Sequence, residues 1–70
     1  MNYQKLKKLV EESGKELPLS ATNENGENVI IENDYIDGEH AFKLTTAQHN
    51  NWCRINTFYK NGNVDEIFER

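Results

Sequence analysis

One cysteine, one proline and four glycines are all that these 70 residues hold of the types that staple or bend a small chain. A lone Cys53 makes no intrachain disulfide, which excludes a disulfide-built scaffold and suits a reducing compartment. No apolar run approaches the ~20 residues that cross a bilayer, and no secretory h-region follows Met1. A soluble, cytoplasmic protein is therefore expected. Positive charge is the scarcest property of the middle of the chain. Residues 17–50 carry Lys43 alone against six carboxylates, whereas residues 1–16 carry a net +1 and residues 51–70 balance, giving -4 in all. A nucleic-acid binder draws most of its affinity from a basic stripe, so direct binding to DNA or RNA is not expected. An acidic face fits a basic protein surface instead, including one built to hold DNA.

What is present is enough for one domain. Hydrophobic residues make up 36% and the mean hydropathy is -0.90, polar for a folded chain, yet seven aromatics argue for globular order. A chain of this length buries only about 60% of its unfolded surface and folds with a thin margin. Tyr3, Leu6, Leu9 and Val10 recur at helical spacing, with Asn2 as N-cap and Gly14 as the left-handed terminator. Lys7–Glu11 and Lys8–Glu12 are i,i+4 pairs on the outer face of that helix. Lys5, Lys7, Lys8 and Lys15 alternate with Glu and read as an ordinary solvated face.

Period-two alternation follows. Leu17, Leu19 and Ala21 alternate with Pro18, Ser20 and Thr22, and Glu24-Asn25-Gly26 is a three-residue hairpin loop that pairs Ala21 with Val29 and Leu19 with Ile31. Asp37-Gly38 marks the next turn, after which Phe42, Leu44 and Thr46 share a face. A long strand runs from Trp52 to Lys60, and Asn61-Gly62 reads as a two-residue turn pairing Tyr59 with Val64, Thr57 with Glu66 and Ile55 with Phe68. On that register Cys53, Ile55, Tyr59, Val64 and Phe68 form the core face. Trp52 and Phe58 then lie opposite, as core if a helix covers them and as partner anchors if none does. The expected fold is α+β, a single domain over residues 1–70, with one N-terminal helix followed by a five-stranded antiparallel meander.

Catalytic and metal chemistry have little to stand on. His40, His49 and Cys53 do not match a structural zinc spacing, and a His49–Cys53 nucleophile pair lacks an orienting third group. Asp34, Asp37 and Glu39 miss the calcium-loop register. A paired-carboxylate acid–base site needs more depth than a thin sheet supplies. No cofactor, metal or catalytic residue is expected. The carboxylates Glu24, Glu27, Glu32, Asp34, Asp37 and Glu39 read either as a solvated acidic surface or as a protein-binding face.

Three segments, KLVEESGKEL, GEHAFKLTT and WCRINTFYKNGNVDEIF, resemble the first helix, central strand and last hairpin of the small phage-encoded inhibitors of uracil-DNA glycosylase. The likeness touches about half of the chain. It implies a helix followed by a five-stranded sheet that acts by DNA mimicry, its acidic surface occupying the enzyme's DNA groove. In that family a cavity between the sheet and a second helix captures an apolar side chain of the enzyme. Phe42 and Leu44 fall where its lining residues stand. The chain departs from the family by lacking the second helix and the acidic Glu-Ser-Ile strand. Ser20-Ala21-Thr22 stands in that place, so the device is either rebuilt from residues 24–39 or absent. The leading expectation is a protein that inhibits a host DNA-processing enzyme through those six carboxylates with Phe42 and Leu44. The alternative is a non-catalytic interaction or dimerisation module, as a monomer or weak homodimer.

Overall fold

The computed structural model describes residues 1–48 and 52–69. Helix α1 (Tyr3–Ser13) precedes β1 (Leu19–Thr22), β2 (Asn28–Ile36), β3 (Glu39–Gln48), β4 (Trp52–Tyr59) and β5 (Val64–Glu69). The strands form one antiparallel sheet in chain order, with the helix on one side, so the fold is the α+β meander that the patterning predicts.

The helix begins and ends on chemistry legible in the sequence. Extended Asn2 accepts the Lys5 N–H on its side-chain oxygen at 2.9 Å, and Gly14, at φ 66°, donates its N–H to the Glu11 carbonyl. Tyr3 and Leu6 are buried, and Val10 packs at the margin of the same core with Leu17, Leu19 and Leu44. Leu9 departs from the expected stripe at 44% exposed, lying over β1 beside Leu19 and Ala21. An 11-residue helix is marginal in isolation, so its stability comes from this docking, mainly onto β3.

The first hairpin keeps the expected register, Leu19 against Ile31 and Ala21 against Val29. Asn23 closes it, accepting the N–H groups of Asn25 and Glu27 on its side-chain oxygen. The second turn is the two-residue Asp37-Gly38, with Asp37 at φ 52° and Ile36 opposite Glu39.

The last hairpin differs from expectation. Tyr59 pairs with Asn63 through a 2.9 Å bond, which makes the loop three residues long and sets Phe58 opposite Val64, Arg54 opposite Phe68 and Ile55 opposite Ile67. A two-residue turn needs positive φ at both positions, but only Gly62 adopts it, at 96°. Asn61 instead turns its side-chain oxygen onto the Asn63 N–H at 2.9 Å, and the glycine forms the bulge. The expected core face of this hairpin is reversed for β4. Phe42 pairs with Phe58, and both lie beneath the helix at 4% and 5% exposure. Cys53, Ile55 and Tyr59 point to the other side. Of the five residues expected in the core, Val64 and Phe68 do share the helix side, but both are about half exposed because the helix does not reach β5.

Tyr3, Leu6, Ile31, Phe42 and Phe58 therefore make up a core only one residue deep. The molecule spans 32 × 26 × 17 Å, the short axis being the helix-on-sheet sandwich. The far side of the sheet has no covering element among the described residues.

Candidate functional site

Directly paired residues on neighbouring strands project to the same side, so the registers assign every strand side chain to a face. The row Leu19, Ile31, Leu44, Asn56, Glu66 lies on the helix side, and the row Ser20, Ile30, Thr45, Ile55, Ile67 on the outer side. The outer face carries five carboxylates, Glu32, Asp34, Glu39, Asp65 and Glu69, and one cation among its described residues, Lys43. Lys43 spans to Glu32 at 3.8 Å across the strand pair and neutralises one of them. Lys5, Lys7, Lys8, Lys15, Arg54 and Lys60 all belong to the helix side or its connections. A modest charge in total is thus strongly sided.

Asp34, Ala41 and Tyr59 share one row of that face. The Tyr59 hydroxyl donates to Asp65 Oδ2 at 2.6 Å. Its pKa is raised above 10.0, first by that hydrogen bond and by burial, then by the negative charges of Asp65, Asp34 and Asp37. Carboxylates from β2, the β2–β3 turn and β5 therefore act on one point. The next row beyond Glu32 and Asp65 holds Ile30, Thr45, Ile55 and Ile67, with Ile67 55% exposed, and Glu69 lies in the row after it.

The expected site residues separate into three groups. Glu32, Asp34 and Glu39 stand on the outer face, and Asp37 flanks them at the turn. Glu24 and Glu27 belong to the β1–β2 hairpin at the opposite end of β2, whose nine residues put about 30 Å between the two turns. Glu27 is already engaged, accepting the Asn23 amide at 2.8 Å. Phe42 and Leu44 stand apart from these acids: both face the helix, Phe42 in the buried cluster and Leu44 packed against it. Trp52 is half-buried, stacked on Phe68 at 5.8 Å, and Arg54 lies 5.7 Å from its ring centre. Asp65, Ile67 and Glu69 lie on the face away from the core, as the alternation along β5 predicts, whereas Ile55 is an outer-face residue that the two-residue reading of Asn61-Gly62 places in the core. The Tyr3 hydroxyl, His40 and Asn33 form a second polar feature, on the helix side. His49 lies outside the described residues, and among those described no three of His, Cys, Asp and Glu gather as a metal would require. Among the described residues no helix is long and apolar enough to cross a membrane.

No protein-family model, curated protein or solved structure matches the chain.

Proposed function

We propose that this chain is a non-catalytic inhibitor of a DNA-processing enzyme, presenting the outer face of its sheet to the enzyme's basic DNA-binding surface. A uracil-DNA glycosylase is the first target to assay, on the strength of the sequence resemblance. The observation that carries the reading is the sidedness of the charge: among the described residues, Glu32, Asp34, Glu39, Asp65 and Glu69 share an uncovered face with a single cation, Lys43. Glu32 and Asp34, two residues apart on one strand, hold two carboxylates about 6.6 Å apart on that face, a periodic array of negative charge. The acidic strand and second helix of the glycosylase inhibitors have no counterpart here, so the mimicry is rebuilt on β2, β3 and β5. Apolar Ile30, Ile55 and Ile67, in the row beside Glu32 and Asp65, add an apolar strip that charge alone lacks.

Size agrees with this use. A face of a molecule 32 × 26 Å across matches the ~800 Å² that each partner contributes to a standard complex. Self-association through the same face sets its carboxylates against their own copies, which favours a cationic partner over a second copy. Cytoplasmic action in a bacterial host belongs to the same proposal.

The test is a glycosylase assay with the protein in stoichiometric excess, paired with amide-signal mapping of the labelled protein on adding the enzyme. Inhibition with perturbed β3, β4 and β5 signals supports the reading. Unimpaired activity with no perturbed signals removes the glycosylase as target.

A second reading rests on β5. All six of its residues are exposed, Val64, Ile67 and Phe68 among them, and its outer edge is unpaired. Such an edge accepts a further strand. This reading expects a dimer at micromolar concentration by sedimentation; the inhibitor reading expects a monomer.

A further inference from the structure

On the helix side, a groove of about 630 Å³ opens between α1, the chain leading into β1 and the turn end of the sheet. It lies on the face away from the proposed partner surface and has the size of a small-molecule site. Its floor is aromatic. Tyr3 and Phe42 lie 4.9 Å apart, and the His40 ring stands edge-on to Phe42 at 4.7 Å. Val10 and Leu17 extend this apolar surface along one wall.

The polar groups of the groove are held in a fixed order. Asn33 Oδ1 is an acceptor only, so the 2.7 Å contact requires His40 Nε2 to carry the proton. In the neutral ring, which the lowered pKa favours, His40 Nδ1 accepts a hydrogen bond from the Tyr3 hydroxyl at 2.8 Å. The imidazole is thereby pinned on both sides. Three lysines from separate segments reach the rim, Lys7 from α1, Lys15 from the connection and Lys60 from the β4–β5 turn. Among the described residues none of the three is in an ion pair. Glu11 and Glu16 also line the groove, leaving it net positive on a chain of net charge -4.

The two ends of the groove differ electrostatically. His40 has its pKa lowered from 6.5, first by burial and then by the charges of Lys60 and Lys7. Lys7 and Lys60 line the same groove as His40 and are the charges that act on its ring.

We propose that this groove binds a small organic anion, a phosphate or carboxylate on a flat apolar body. The anionic group sits between Lys7 and Lys60 beside His40, and the apolar body lies against Val10 and Leu17 at the edge of the aromatic cluster. The anion offsets the mutual repulsion of the lysines that line the groove, and its body covers the half-buried apolar side chains of Val10 and Leu17. No covalent step is involved.

The experiment is a titration of isotope-labelled protein with phenyl phosphate, benzoate and inorganic phosphate in parallel at constant ionic strength. The His40 ring signals and the lysine amides are followed. The expected result is saturable shifts at His40, Lys7 and Lys60 with phenyl phosphate or benzoate, and binding at least about tenfold weaker for inorganic phosphate, which lacks the apolar body. Whichever of the two aryl anions binds more tightly identifies the head group. Lys60→Gln and Lys7→Gln, exposed positions whose replacement leaves the core intact, each weaken binding threefold or more, and the bound state raises the His40 pKa. Shifts that fail to saturate with a Kd tighter than about 10 mM overturn the proposal, as do equal shifts at Lys5 and Lys8, which report only non-specific ion binding.

Discussion

His40 accepts from the Tyr3 hydroxyl and donates to Asn33, so a neutral ring ties the first turn of the helix to the sheet. Its lowered pKa has a definite consequence for stability. The unfolded imidazole takes up a proton near 6.5, and the folded one only at lower pH. Between those values the unfolded chain binds more protons, so acidification favours unfolding. The contribution is full above 6.5 and is lost as pH falls to the folded value. Denaturant midpoints measured at about pH 7.5 and about pH 5.5 check this, and His40→Gln is expected to shrink the difference between them. At the phenylalanines, burial sets the order of effects. Phe58→Ala should cost about 3–5 kcal/mol, because a core one residue deep cannot collapse around the cavity. Phe68→Ala, at a position 54% exposed, should cost about 1 kcal/mol or less. Had Phe68 lain in the core, as the two-residue turn implied, its replacement would carry the larger loss.

Among the elements, the β4–β5 hairpin separates what local sequence determines from what it does not. Gly62 is required at φ 96°, so Gly62→Ala should destabilise by more than about 1 kcal/mol in thermal or denaturant unfolding. A cross-strand proton contact from Phe58 to Val64, rather than from Tyr59 to Val64, checks the register directly. The helix caps, the first hairpin and the Asp37-Gly38 turn were legible because each rests on residues within a few positions of one another. The face of β4 was not. Cys53 and Ile55 on one side and Trp52 and Phe58 on the other are all apolar, so alternation gives no preference. Pairing of Phe58 with Phe42 under the helix decides it, and that contact is remote in sequence. The candidate site divides the same way. Glu32, Asp34, Glu39, Asp65 and Glu69 follow from alternation along their strands, whereas Ile55 joins the outer face only once Phe58 pairs with Phe42. Lys7, read along the helix as one of four solvated lysines, meets Lys60 only through the fold.

For the whole molecule, the account turns on one asymmetry: carboxylates on the open side of the sheet, lysines on the helix side. A chain with a net charge of -4 is unremarkable in bulk, but a field concentrated on one uncovered face steers a basic partner. Association should slow steeply with salt as the screening length contracts from about 10 Å at 0.1 M. Charge reversal on either side gives the direct comparison. Glu32→Lys, Asp34→Lys and Asp65→Lys combined alter the outer face. Glu11→Lys, Glu12→Lys and Glu16→Lys combined change the net charge equally on the other side. The decisive measurement is the affinity of these two variants and the parent for uracil-DNA glycosylase at low and high salt. The account predicts that the outer-face variant loses at least a hundredfold, about 2.7 kcal/mol, and most of its salt dependence, while the helix-side variant stays within a few-fold of the parent. Equal losses from both variants would contradict it, since affinity would then follow net charge and not the face that carries it.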